Sequence, residues 1–375
     1  MTEEEATPKE EAAAEEAPKE EATAEEAPKE EAAAEAAPVK EEAPAEAEAE
    51  AISEAEALRQ RFLISAAPHL KSWYSTSKIM YLVVAALLFP TAAAVYFFGF
   101  YALTVCAVAI VSAVATEWAV KKIRGRPFIM DGSAVLTGLL LALILPPTLP
   151  LWMVAIGSIF SIAIVKEAFG GLGFNIFNPA LGGRAFLMAC WLAETTTWVA
   201  PMGFSWDAVT TATPLGLSFV PPPDTGMLYG NLFLGNIGGS LGETSVLAIL
   251  IGGGILLAVG IISWHIPVTY IGTVALLTFI WPGQDPLFHV MAGGVMLGAF
   301  FMATDYVTSP ITIKGKIIFG IGCGLVTVIV RILGGMPEGV CFSILLMNAL
   351  TPLIDRYTMT KPLGLKSLKK ASSEG

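Results

Sequence analysis

Cysteine and histidine are scarce in this chain, four and three among 375 residues, and neither is placed for metal chemistry. Cys106, Cys190, Cys323 and Cys341 all fall in apolar runs, and no two form a CxxC pair. His69, His265 and His289 are scattered. Zinc, haem and iron–sulfur ligation therefore have no support in the pattern, and structural burial is the simpler reading of the cysteines. The constellations of Ser/His/Asp hydrolysis and of phosphate-binding glycine loops are missing too. The Gly-Gly pairs sit inside apolar runs, where small residues let helices approach closely. No Lys or Arg occurs between Arg184 and Lys314, and no nucleic-acid partner is expected. No catalytic residue and no metal ligand is assigned.

What is abundant is apolar surface. The chain is 54% hydrophobic with a mean hydropathy of +0.66, above the roughly 45–50% apolar content of soluble domains. A water-soluble core does not absorb that much. The formal charge of −11 is unevenly placed. Residues 1–58 carry 21 Glu and 4 Lys, a net −17, so the remainder, with 12 acidic and 18 basic residues, is +6.

The acidic tail repeats every ten residues, with Pro8, Pro18, Pro28 and Pro38 in near-copies of APKEEAAAEE. It has no aromatic residue and almost no branched aliphatics, so it cannot bury enough area to offset its ordering entropy, and it reads as disordered. A solvated tether and an acidic docking arm are both open for it. A signal peptide is not, because the basic start and apolar h-region are missing. Residues 59–78 mix Arg59, Arg61 and Lys71 with Phe62, Leu63, Trp73 and Tyr74, which suits either an interfacial segment or a plain juxtamembrane linker.

Apolar runs long enough to cross ~30 Å of hydrocarbon place spans near 79–98, 99–120, 131–148, 150–169, 175–193, 244–263, 266–282, 287–304, 315–333 and 338–355. The expected fold is an all-α polytopic membrane protein of about ten transmembrane helices. Lys121, Lys122, Arg124 and Arg126, then Lys314 and Lys316, then Arg356 and the Lys-rich end all fall on the N-terminal side of that arrangement. The positive-inside rule then makes both termini cytoplasmic and the loop 194–243 extracytoplasmic.

An internal repeat agrees with this count. Residues 131–181 can be laid over 291–350: in each a Gly-rich span leads to a span ending in a basic residue, a Gly-Gly turn and an Asn-containing helix start. Five helices per half is an odd number, so the second half is inverted, and such repeats put functional sites near the midplane. The expected organisation is a tail at 1–58, an interfacial segment at 59–78, repeats at 79–193 and 244–356 separated by the outer loop 194–243, and a basic end at 357–375. Ionisable residues in the bilayer are costly, which directs attention to Glu117, Lys166, Glu167, Arg184, Asp305 and Arg331. Glu117 is the first candidate for an ion path and Asp305 the second. Snorkelling to the headgroups is the competing account of each. Asn175, Asn178 and Asn348 either line a midplane cavity or cap broken helices.

The outer loop contains Asp207-Ala208-Val209-Thr210-Thr211-Ala212-Thr213-Pro214-Leu215. From the residues alone it is a turn before Pro214. The D-x-x-T-x-A-T pattern also resembles the flavinylation motif of the family that holds the D subunit of the Rnf complex and the B subunit of the sodium-translocating NADH:quinone oxidoreductase. The likeness extends to Asp131-Gly132-Ser133-Ala134-Val135-Leu136-Thr137-Gly138, to Leu145-Pro146-Pro147, to Lys166-Glu167 with Phe169-Gly170-Gly171, and to Asn175-Ile176-Phe177-Asn178-Pro179-Ala180, in the family's order across 70–357. Thr211 stands where the motif usually has Gly.

The resemblance implies FMN joined through its phosphate to the hydroxyl of Thr213, with Asp207, Thr210 and Ala212 completing the motif. A separate flavin transferase acting outside the cytoplasmic membrane makes the attachment, on the side where the charge pattern puts the loop. Some members also hold a noncovalent riboflavin. It further implies a place in a prokaryotic cytoplasmic membrane, among other Rnf subunits that move electrons between ferredoxin and NAD+ and export Na+ or H+. This chain would be an electron carrier in that translocase, with the NAD, ferredoxin and iron–sulfur sites on its partners. The compact membrane part favours the Rnf D subunit over the quinone oxidoreductase B subunit. A solute channel or secondary transporter on the same inverted-repeat fold, and an assembly scaffold with an inactive motif, remain as other readings.

Overall fold

The computed structural model describes residues 74–201, 215, 225–334 and 339–359. The acidic tail and most of both the interfacial segment and the basic end lie outside the described residues. So do Asp207, Thr210, Ala212 and Thr213.

The chain is mostly helical, with no strand among the described residues. Helix α1, Thr76–Phe98, starts where the Ser75 hydroxyl accepts from the Lys78 N–H at 3.3 Å. It carries Pro90 in its interior, and Thr91 Oγ1 donates to the Leu87 carbonyl there at 2.8 Å. Gly99, at φ 76°, ends α1 and admits α2, Phe100–Ile123, whose last turn carries Lys121 and Lys122 against the negative end of the helix dipole.

The later apolar runs are more broken than hydropathy implies. Helix α3 covers only Ser133–Ile144, 12 residues where 131–148 reads as one span. Its rise is about 18 Å. The residue before a proline avoids helical backbone, so Leu145, extended ahead of Pro146, stops it. Helix α4, Leu151–Phe160, runs on as a π-helical segment π1, Ser161–Glu167. Helix α5 is Pro179–Cys190, shorter than the expected 175–193, because Asn178 caps it by accepting from the N–H groups of Ala180 and Leu181.

A short helix α6, Leu192–Thr195, straddles the start of what reads as the outer loop, and α7, Thr225–Leu234, lies within it. They are followed by α8, Val246–Ala258, and α9, His265–Ile280. The run 287–304 is divided into α10, Pro286–Met291, and α11, Val295–Leu297, which continues as π2, Gly298–Met302. Gly293, at φ 68°, makes the break. Helices α12, Ile313–Ile332, and α13, Gly339–Thr358, complete the order.

Among the described residues, four helices, α1, α2, α12 and α13, are long and apolar enough to cross a membrane. All the described residues belong to one unit, 72–375. Their exposed faces are greasy: Ile318, Ile321, Leu325 and Ile329 recur along the outside of α12, while Gly320, Cys323, Gly324, Thr327 and Arg331 face inward. Polar inside and apolar outside is the pattern of a helix whose solvent is lipid. Glycine makes the inward contacts close. A Cβ on Gly138 would stand 2.7 Å from the Ala109 carbonyl of α2, and one on Gly252 would stand 2.4 Å from the Ala86 carbonyl of α1.

Candidate functional site

Among the described residues, the acidic and basic side chains of Glu117, Lys166, Glu167, Arg184 and Arg331 are each at most 4% exposed, as is the imidazole of His289. None of them snorkels. They form two clusters, and the helix breaks build both.

The first cluster sits where α2, π1 and the start of α3 meet. Glu117 on α2 accepts from Lys121 Nζ at 2.6 Å, one helical turn on, and from Lys166 Nζ at 3.0 Å. Lys166 also donates to Ser133 Oγ at 2.6 Å, and Ser133 Oγ donates to Asp131 Oδ1 at 2.6 Å. Gly132, left-handed at φ 84°, turns the chain so that Asp131 also takes the Ser133 N–H at 2.9 Å. The result is one chain of hydrogen bonds, Lys121–Glu117–Lys166–Ser133–Asp131. In π1 the consecutive residues Lys166 and Glu167 are both buried, and Arg124 reaches over to the Glu167 carbonyl and carboxylate.

Asp305 does not join this chain. It is partly exposed and accepts from Thr308 Oγ1 at 3.2 Å. It does share a cavity with Lys166, Ser133, Asn175, Asn178 and Thr304. The cavity has about 70 Å³ of water-accessible space. Asn175 Oδ1 is buried there with no hydrogen-bond partner, while its Nδ2 donates to the Phe177 carbonyl at 3.0 Å. Asn178 both caps α5 and donates to the Met302 carbonyl at 3.3 Å. With its amide turned to match its neighbours, Asn348 donates to the carbonyls of Thr308 and Ile344 and accepts from the Asn178 N–H at 3.0 Å. The asparagines thus do both things expected of them: two line the cavity and one of these caps a helix.

The second cluster lies where α5, the residues before α8 and the α10–α11 break converge. Arg184 donates to the Ile144 carbonyl at the end of α3 and, at 3.4 Å, to Glu243 Oε1. Ser240 Oγ donates to Glu243 Oε2 at 2.6 Å. Arg331 donates to the carbonyls of His289 and Ala292 at 2.7 and 3.0 Å. The glycine pair of the break admits both charges: a Cβ on Gly294 would be 2.5 Å from Glu243 Oε1, and one on Gly293 would be 3.0 Å from Arg331 Nη2. A second cavity, about 50 Å³, is lined here by Arg184, Glu243, Thr244, Trp198, Leu215 and Gly293.

Leu215, two residues after Thr213, is 8% exposed and packs into the hydrophobic core at this cavity. Glu243 is the member that sequence reading missed. The available signal was its isolation: it is an acid in a stretch without any Lys or Arg, so its partner had to come from elsewhere in the chain.

The NQR2, RnfD, RnfE family profile matches residues 63–364. The chain is 50% identical over 320 residues to the D subunit of the proton-translocating ferredoxin:NAD(+) oxidoreductase complex of Clostridium ljungdahlii, covering 81% of this chain and 97% of that one. It is 50% identical over 313 residues to the D subunit of the Na(+)-translocating ferredoxin:NAD(+) oxidoreductase complex of Acetobacterium woodii, covering 82% and 96%. It is 42% identical over 327 residues to the D subunit of an ion-translocating oxidoreductase complex of Stutzerimonas stutzeri, covering 77% and 92%. The chain belongs to the NQR2, RnfD, RnfE family, and it matches D subunits of that family over nearly their whole length.

Proposed function

We propose that this chain is the flavin-bearing membrane subunit of an Rnf-type complex, which passes electrons between ferredoxin and NAD+ and couples their flow to export of Na+ or H+. The observation that carries the reading is 50% identity across at least 96% of two D subunits named for that activity. Partner subunits hold the NAD and ferredoxin sites. The complex sits in the cytoplasmic membrane with both ends of this chain inside and the 194–243 loop outside. That orientation rests on Lys121, Lys122, Arg124 and Arg126 clustering on one side.

Ten spans in two inverted repeats are part of the same proposal. Lys166 and Arg331 hold equivalent places in the two halves of the sequence repeat. Each is buried at the end of an apolar helix, and each is bonded beside the break that begins a Gly-rich element, Lys166 at Ser133 and Arg331 at Ala292. Their symmetry supports the inversion.

FMN is carried as a phosphoester on Thr213, attached by a flavin transferase. The support is the D-x-x-T-x-A-T pattern at Asp207–Thr213, together with the family resemblance of the chain. When bound, the flavin ring supplies one-electron transfer without dissociating from the chain. The chain's own residues anchor it and hold the loop. Glu117, with Lys166 as its buried counter-charge, lies on the ion path on the cytoplasmic side, and Asp305 borders the cavity that continues it.

The test is to produce the chain with its partners and a flavin transferase, and then to denature it. Covalent flavin fluorescence in the gel, and an added FMN mass on the peptide around 207–216, are expected in the wild type and absent from Thr213→Ala. A wild-type peptide at its unmodified mass would falsify the assignment.

A further inference from the structure

Two buried carboxylates lie at the end of the helical body that carries the basic cluster, and they are held differently. Glu117 Oε1 receives two ammonium groups, Lys121 at 2.6 Å and Lys166 at 3.0 Å. Its counter-charge is built in. Glu167, the residue after Lys166, is as deeply buried, at 1% exposed. Its Oε1 nevertheless accepts no hydrogen bond, and its Oε2 has only Arg124 Nη1 at 3.9 Å, beyond hydrogen-bond range. The other lysines nearby are committed: Lys121, within electrostatic reach of Glu167, is bonded to Glu117, and Lys166 to Glu117 and Ser133.

The surroundings of Glu167 are shaped by glycine. After π1 the chain turns through Gly170, Gly171 and Gly173, at φ 127°, 101° and 93°, and the Gly170 N–H donates back to the Glu167 carbonyl at 3.1 Å. A Cβ on Gly171 would stand 3.4 Å from Glu167 Oε1 and 3.6 Å from Oε2, so glycine leaves room of about one atom beside both oxygens. Two arginines that follow α2 latch this turn from outside. Arg124 donates to the Glu167 carbonyl, and Arg126 donates to the Gly170 carbonyl at 3.1 Å. The Arg124 side chain is 36% exposed, so it has water to move into.

An ionised carboxylate buried without donors is costly, and a proton or a small cation removes that cost. A carboxylate that already holds two ammonium groups gains little from either. We propose that Glu167 is the carboxylate at this mouth that takes up and releases a monovalent cation, H+ or Na+, while Glu117 stays fixed to its lysines. The cation binds at the carboxylate beneath the glycine turn. Arg124 is a positioning residue: it stands at 3.9 Å from the unloaded carboxylate and swings towards solvent as the cation arrives. The inference deepens the proposed ion path, on which the physiological role of Glu167 rests; the exchange itself does not depend on that reading.

The probe is dicyclohexylcarbodiimide, which adds to a carboxyl group holding its proton in apolar surroundings and leaves a stable acylurea there. The purified complex is labelled in a mildly acidic medium with choline as the added cation, and the peptides bearing Glu117 and Glu167 are quantified by mass spectrometry. Glu167 should carry at least tenfold more label than Glu117. Equal label on the two carboxylates, or none on Glu167, overturns the inference, and this comparison needs no variant to fold. Replacing choline with Na+ separates the two ions: protection of Glu167 assigns Na+, and unaltered labelling assigns H+. Arg124→Gln removes the competing charge and should speed the labelling of Glu167 at least threefold, whereas Arg124→Lys should not; equal rates in Arg124→Gln and wild type would overturn the part given to Arg124. Ion uptake by inverted membrane vesicles, driven by reduced ferredoxin and NAD+, then tests the role. It should be lost in Glu167→Gln and kept in Glu167→Asp. If Glu167 labels as expected and Glu167→Gln still pumps at the wild-type rate, the exchange site stands and the ion-path reading of this mouth fails instead.

Discussion

Glu117 has two cationic partners and Lys166 has one carboxylate, and that asymmetry makes a sharp prediction. Replacing Glu117 with Leu leaves the Lys166 ammonium, whose side chain is 2% exposed, with only the Ser133 hydroxyl. Stranding a buried charge in this way costs about 3–5 kcal/mol. Replacing Lys166 with Met is milder, because Glu117 keeps Lys121 at 2.6 Å, an approach that is 17% exposed on the lysine side. What is lost there is the bond to Glu117, about 1.5–3 kcal/mol, and the bond to Ser133 Oγ, which keeps its own bond to Asp131. The double variant Glu117→Leu/Lys166→Met strands no buried charge, and exchanging a buried pair for apolar side chains is often neutral. Its stability should therefore exceed that of Glu117→Leu alone. The assay is the apparent melting temperature of the purified protein in one detergent, by intrinsic fluorescence. At roughly 2–4 °C per kcal/mol, Glu117→Leu should melt on the order of 10 °C below wild type, with Lys166→Met and the double variant both above it. If Lys166→Met is as damaging as Glu117→Leu, or the two losses add in the double variant, the shared-carboxylate account is wrong.

Two further variants probe the packing that holds the clusters in place. Gly252→Ala puts a methyl 2.4 Å from the Ala86 carbonyl, while Gly254, two residues on, has open space around it. The first should cost about 1–3 kcal/mol in apparent stability, and Gly254→Ala should cost nothing or gain up to about 1 kcal/mol from helix propensity; equal changes in the two would show that the α1–α8 contact does not decide. Tyr270 is wholly buried, its hydroxyl 2.7 Å from Thr327 Oγ1, which itself lies 2.8 Å from Ser343 Oγ. Tyr270→Phe removes the hydroxyl's contacts with Thr327 and Ser343, about 0.5–1.5 kcal/mol each, and leaves Thr327 donating to Ser343, whereas Tyr270→Ala empties a core site, about 3–5 kcal/mol. Comparable melting temperatures for the two would refute the packing role.

The helices read correctly from sequence are the ones whose limits are chemical. Helix α1 runs until Gly99, and α2 runs until a basic cluster that belongs in water, so apolar length alone locates them. Helix α3 and the α10–α11 pair are different: their apolar runs continue past the point where Leu145 must extend before Pro146 or where Gly293 turns left-handed. A hydropathy window averages across such points. The π segments are less legible still. Nothing in Ser161–Glu167 disfavours an ordinary helix; what the π turn achieves, burial of Lys166 and Glu167 together, is defined only by partners on other elements.

The same reason governs the charged sites. Cost in the bilayer marks Glu117, Lys166, Arg184 and Arg331 as requiring an account, and all four proved buried. Cost does not name partners, however. Lys166 meets a carboxylate 49 residues away, and Arg184 one 59 residues away that sits outside any apolar run and so never registers as expensive. An ionisable group in a membrane protein advertises itself when lipid surrounds its segment. Glu243 is half-buried by other elements folding over a loop, so its importance is a property of tertiary structure. The cavity it borders therefore becomes visible only once Arg184, Thr244 and Leu215 are seen to face one another.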